Sequence, residues 1–93
     1  MLNKYTVSNL IGKKVRHFKG KEYLVLCKAE HTETGEAMIV YKALYGECKV
    51  YVRPLEMFIS KVDTERYPNI NQVFRFELIK EKDTKLGGIN NGK

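Results

Sequence analysis

Glu22-Tyr23-Leu24-Val25-Leu26-Cys27-Lys28-Ala29-Glu30-His31 runs into Thr32-Glu33-Thr34-Gly35, and Glu36-Ala37-Met38-Ile39-Val40-Tyr41-Lys42-Ala43-Leu44-Tyr45 follows. Both arms alternate with a period of two and carry β-branched and aromatic residues, so they read as antiparallel strands over Glu22–His31 and Glu36–Tyr45. Four turn-forming residues lie between them. A type I turn here would leave Gly35 in the left-handed region as a G1 bulge, a backbone conformation that glycine adopts without a Cβ penalty.

Further strands lie on either side. Lys14–Phe18 precedes the hairpin across the reversal Lys19-Gly20-Lys21, and Cys48–Arg53 follows it across Gly46-Glu47, a pair suited to a two-residue type II′ turn. Closing Thr32 against Glu36 sets Ala29 opposite Ile39, Cys27 opposite Tyr41 and Val25 opposite Ala43. Closing Tyr45 against Cys48 sets Ala43 opposite Val50 and Tyr41 opposite Val52. The two turns then select one inward set, namely Tyr23, Val25, Cys27, Ala29, Ile39, Tyr41, Ala43, Val50 and Val52. The opposite face collects Leu24, Leu26, Lys28, Met38, Val40, Lys42, Tyr51 and Arg53. A slip of one residue would exchange the two sets.

Beyond the strands, Pro54 has the fixed φ suited to a first helical position, and Leu55, Phe58, Ile59 and Val62 recur at helical spacing. That predicts one short amphipathic turn or two. Asp63–Gln72 is polar and reads as a loop, and Val73–Ile79 as a possible closing strand with Phe74 and Phe76 inward. A meander of four or five short strands removes its edges by closing, so the expected fold is all-β, a small barrel with one short helical turn. The domain is expected over residues 1–79, with 80–93 as a flexible C-terminal tail.

Composition agrees with a small globular domain. The 93 residues are 43% hydrophobic and 30% charged. A chain of this length buries roughly 60–65% of its unfolded surface, enough for a thin core and little more. No apolar run approaches the ~18 residues of a membrane span, and Met1–Thr6 lacks the apolar region of a secretory leader. Two cysteines, Cys27 and Cys48, are fewer than a secreted scaffold of this size carries, so reduced thiols in a cytoplasm are expected, with Cys27 buried mid-strand and Cys48 partly exposed. The formal charge is +6, and residues 1–22 alone carry a net +5 through Lys4, Lys13, Lys14, Arg16, Lys19 and Lys21 against Glu22. Lys13, Lys14, Arg16, Lys19 and Lys21 therefore form a candidate anion-binding cluster, unless they serve as a solvated edge strand that resists pairing.

The motifs that carry catalysis are incomplete. His31-Thr32-Glu33 has the H-x-E spacing of zinc deaminases, but no P-C-x-x-C pair accompanies it. His31 and Glu33 form a low-ranking candidate pocket and fit better as residues that orient the hairpin turn. The Cys and His stock, His17, His31, Cys27 and Cys48, has no zinc-binding spacing. Gly12-Lys13 and Gly20-Lys21 miss the phosphate-loop spacing and lack the following Ser or Thr. Ser8 and Ser60 fall outside the expected barrel, and the sequence shows no base beside Cys48. No catalytic residue, metal or cofactor is expected.

Four strings in order are familiar: Arg16-His17-Phe18-Lys19-Gly20 with Tyr23 and Val25; Ala29 and His31 with Glu33-Thr34-Gly35-Glu36; Val40-Tyr41 with Ala43-Leu44-Tyr45-Gly46; and Val52-Arg53-Pro54-Leu55-Glu56-Met57-Phe58. Together they resemble the bacterial DUF1653 family over about residues 12–62. The resemblance implies an SH3-like small β-barrel and no established activity. Tyr51 stands where the family usually has Trp, so no indole is implied as a ligand reader.

The candidate ligand face is Lys28, Lys42, Tyr45, Tyr51 and Arg53. Basic groups among aromatics serve single-stranded nucleic acid binders, and small barrels bind peptides in aromatic grooves. Lysine stems that merely cover Leu24, Leu26 and Val40 are the plain structural alternative. The expected function is a non-enzymatic binding or accessory module, a monomer or weak dimer, with a protein or peptide partner. A nucleic-acid-binding barrel is the alternative, and a small-molecule enzyme or metal site around His31 and Glu33 comes third. Arg53, ahead of Pro54, is expected to point away from the core beside Val40 and to clamp the strand–helix corner through Glu56 or the carboxylates of the Glu33–Glu36 turn.

Overall fold

The computed structural model describes residues 7–79. A 3₁₀ turn, Val7–Leu10, leads into strands β1 (Lys14–His17), β2 (Glu22–Glu30), β3 (Ala37–Ala43) and β4 (Val50–Pro54), helix α1 (Leu55–Phe58) and strand β5 (Phe76–Leu78). The strands form one antiparallel sheet in the order β4-β3-β2-β1-β5. The fold is all-β, a small SH3-like barrel, and no helix among the described residues is long and apolar enough to cross a membrane.

The core lies on the inner face of this bent sheet. Val15, Val25, Ile39, Tyr41 and Phe76 come from four strands, Leu10 from the 3₁₀ turn, and Leu55 and Phe58 from α1. Leu55 and Phe58 sit three apart and so share the inward side of one helical turn. Phe58 stacks on Phe76 at 4.2 Å with the rings 5° from parallel. Because α1 follows edge strand β4 and Phe76 lies on the other edge strand, that stack joins the two ends of the sheet. Val73–Ile79 thus supplies the fifth strand, with Phe76 buried and Phe74 half-buried. Gln72 fixes its approach by donating from Nε2 to the carbonyls of Arg16, Phe74 and Arg75 at 3.1, 2.8 and 3.2 Å.

The turns form where the sequence places them, but three details of register differ. Gly35 has φ 77° as expected. Its hairpin closes one pair earlier, with His31 N–H donating to the Glu36 carbonyl, so Glu30 faces Ala37 and Ala29 faces Met38. A bulge between Val25 and Cys27 then shifts the pairing again, setting Val25 opposite Tyr41 and Tyr23 opposite Ala43. Tyr23 and Val25 therefore keep their inward positions, whereas Cys27 faces Val40 and is exposed, not buried. The bulge coincides with contacts from outside the hairpin. Val25 donates to the Lys13 carbonyl and accepts from Gly12 N–H, which draws β2 toward the segment ahead of β1.

The third difference is in the β3–β4 connection. The type II′ turn forms, with Gly46 at φ 58° and Cys48 N–H bonded to the Tyr45 carbonyl at 3.0 Å. Cys48 itself then adopts φ 56°, and Ala43 N–H pairs with the carbonyl of Lys49 instead of aligning Ala43 with Val50. One added residue inverts β4. Tyr51 faces Tyr41 and Arg53 faces Ile39 on the core side, while Val50 and Val52 point outward and are 56% and 57% exposed. Pro54 is the cap before the helix, not its first residue. The expected tail lies outside the described residues.

Candidate functional site

The inversion of β4 assembles the most distinctive feature of the inner face. Tyr23 on β2, Tyr41 on β3, Tyr51 on β4 and Tyr45 in the β3–β4 loop make a connected aromatic cluster. Tyr23 meets Tyr41 at 5.3 Å and Tyr45 at 5.6 Å between centroids, both edge to face. Tyr41 meets Tyr51 at 5.9 Å. Phe76, fully buried, is the floor and contacts His17, Tyr23 and Tyr41 at 4.9, 5.8 and 5.5 Å. Tyr41 is 4% exposed, but Tyr45 and Tyr51 are 37% and 40% exposed. The cluster thus has an anchored base and an open rim.

Polar groups fix these rings. The hydroxyls of Tyr23 and Tyr45 share a hydrogen bond of 2.9 Å. Burial, followed by that bond, raises the Tyr23 phenol above its ordinary value. Arg53 lies with Cζ 5.5 Å from the Phe76 centroid and donates from Nε to the Tyr41 hydroxyl at 3.1 Å. Among the described residues this half-buried guanidinium uses one of its five N–H donors. It forms no ion pair among the described residues.

Several cations converge near this face. Lys21 Nζ stands 4.8 Å from the Tyr45 ring, and Lys19 Nζ 5.4 Å from Tyr67. Arg75 donates from Nε to Ser60 Oγ at 2.8 Å. His17 records the resulting field: burial, then the charges of Arg53, Lys19 and Arg75, lower its pKa from 6.5 to about 4. Its imidazole is therefore neutral at pH 7. Nδ1 accepts the Lys19 N–H at 3.1 Å, which places the ring proton on Nε2.

The expected ligand face is divided. Tyr45, Tyr51 and Arg53 meet on the inner side, whereas Lys42 pairs with Leu24 and Val50 on the outer side. Lys28 faces Ile39 near the far end of β2 and is exposed. Arg53 does not clamp Glu56 or the turn carboxylates; its bonded partner is the Tyr41 hydroxyl. The basic cluster is divided as well. Lys14 and Arg16 flank inward-facing Val15 and so lie on its reverse side, Arg16 pairing with Glu22 at 3.3 Å. Lys19 and Lys21 sit over aromatic rings, and Lys13 is exposed ahead of β1. His31 serves the turn, its Nδ1 accepting N–H bonds from Glu33 and Thr34 at 3.1 and 3.3 Å. No three His, Cys, Asp or Glu side chains gather to hold a metal among the described residues.

Sequence reading missed Tyr23, Tyr41, His17 and Phe76 as parts of one surface. Their signal was present as four aromatic or imidazole positions on strands, but only the true β4 register brings Arg53 and Tyr51 to them. A profile of the family described as "Protein of unknown function (DUF1653)" matches residues 13–78. The chain belongs to the DUF1653 family. A crystal structure of a DUF1653 protein from Bordetella bronchiseptica is 30% identical and superposes with a TM-score of 0.64, covering 77% of this chain and 90% of that one. No curated protein matches this DUF1653 chain.

Proposed function

We propose that this protein is a non-enzymatic module that binds a segment of another protein across Tyr23, Tyr45, Tyr51 and Arg53. The observation that carries the reading is an open tyrosine rim in front of a guanidinium that no carboxylate of the described chain neutralises. Tyrosine suits such contacts because it offers large area at low rotamer cost and a hydroxyl that bonds a partner's backbone. The rings stand at 74° and 82° to one another around Tyr23. Nucleic acid binders instead present faces for successive bases, and Lys21 already lies over a face of Tyr45. The exposed thiols of Cys27 and Cys48, which form no disulfide, support a reducing cytoplasm as the setting.

The test is selection from a random dodecapeptide display library, followed by amide NMR titration with a selected peptide. The expected result is a family of peptides whose shifts concentrate on residues around Tyr23, Tyr45 and Tyr51 and vanish with Tyr51→Ala. Failure to select any peptide, together with salt-dependent binding of mixed oligonucleotides, would favour the nucleic-acid alternative.

A further inference from the structure

We infer that the partner segment is acidic and presents a bidentate oxyanion, a side-chain carboxylate or a phosphate monoester, to the edge of Arg53 that no described residue engages. This rests on the peptide-binding reading above and adds the chemistry that selects the partner. Three observations support it. Arg53 is half-buried, held from behind by Phe76 and at Nε by the Tyr41 hydroxyl, so its orientation is set before any ligand arrives. A planar fork fixed in this way matches the two oxygens of a carboxylate or phosphate.

The surrounding charge has one sign. Arg53, Lys19 and Arg75 all act on His17, and none of them pairs with an acid among the described residues. Four acids on neighbouring elements are engaged elsewhere, Glu22 with Arg16, Glu47 with Lys49, Glu77 with the Phe74 N–H and Asp63 with the Glu65 N–H, and Glu56 on α1 is exposed and forms no ion pair with Arg53. The face thus carries a local excess within a chain of net charge +6. An oxyanion would be the complementary group, and Tyr51 lies two residues from Arg53 on the same side to contact the residue that bears it.

Peptides from the dodecapeptide library provide the experiment. Asp and Glu should be enriched among those selected, and replacing the key Glu by Gln in a synthetic peptide should weaken binding about tenfold or more. A phosphoserine peptide at that position identifies phosphate as the natural source if it binds more tightly than Glu, and carboxylate if it does not. On the protein side, Arg53→Gln should reproduce the loss, whereas Lys42→Gln removes equal charge from the reverse of the sheet and should change affinity less than twofold. The peptide substitution needs no protein variant, so it holds even if Arg53→Gln perturbs folding. Selected peptides without acidic residues, a Gln peptide that binds as well as its parent, or equal losses from Arg53→Gln and Lys42→Gln would overturn the inference while leaving peptide binding intact. Selection of no peptide would overturn both.

Discussion

Protonating His17 should weaken the fold. Its imidazole packs at 4.4 Å against Phe18 and 4.9 Å against Phe76, and it faces Arg53, Lys19 and Arg75. The folded pKa is lowered from 6.5 to about 4, so the unfolded chain binds the proton more tightly at pH values between those limits. The contribution to stability is therefore complete above pH 6.5 and is lost as pH falls through about 4. Taken in full, that interval corresponds to roughly 3.4 kcal/mol. The ring is only half-buried and solvent screens its neighbours, so about 1–2 kcal/mol is expected. For a domain of this size each kcal/mol moves Tm by about 4–8 °C. Urea unfolding of wild type and His17→Gln at half-unit steps from pH 7.5 to 4 isolates the effect, because carboxylates titrate in both proteins. Wild type should lose about 1–2 kcal/mol more than the variant across the window, and the His17 Cε1–H resonance should titrate well below 6.5. Parallel stability curves with a His17 midpoint near 6.5 would refute the burial and charge argument.

Phe76→Ala removes the ring that joins both ends of the sheet and should cost about 3–5 kcal/mol; a Tm within a few degrees of wild type would show that the two ends close without it. Cys48→Gly should stabilise by about 0.5–1 kcal/mol, since glycine adopts the positive φ of that position without steric cost, read as a higher urea midpoint. A double-mutant cycle on Tyr23→Phe and Tyr45→Phe should give a coupling of about 0.5–1 kcal/mol for the hydroxyl pair, and additive effects would remove that bond from the rim. Both thiols should react with a disulfide reagent in the native protein, whereas protection of Cys27 until unfolding would contradict its outward register.

The strands, both glycine-dependent turns and the helical turn were legible because each has a local cause. Gly35 and Gly46 supply positive φ, and Leu55 and Phe58 supply the helical spacing. The offsets were not legible. Cys48 enters the left-handed region without being glycine or asparagine, so its type gives no warning. The bulge near Val25 arises from hydrogen bonds to Gly12 and Lys13, which are distant in sequence. Alternation could not correct either error, because both faces are apolar. Val50 and Val52 fit an inward reading as well as Tyr51 does, and Leu24 and Leu26 blur the pattern on β2. Register is strongly specified only where one face is polar.

That ambiguity bears directly on the site. In the two-residue hairpin register, Val50 and Val52 would fill the inner face and Arg53 would stand in solvent, leaving an ordinary aliphatic lining. One residue at Cys48 instead brings a guanidinium and a tyrosine onto that face and turns two valines out to water. Leaving two valine side chains 56% and 57% exposed forfeits on the order of 1–1.5 kcal/mol each relative to full burial. A hydrogen bond of Arg53 to Tyr41 returns about 1 kcal/mol. On these two terms alone the observed register is the less stable one, so it must draw support from the rest of the inner face. The Tyr41–Tyr51 contact and the cover that Arg53 gives Phe76 supply part of it. An arrangement that places a charged fork among tyrosines at the expense of valine burial is what the proposed recognition surface requires, and it is the physical reason for proposing the inner face and not the basic strand β1 as that surface.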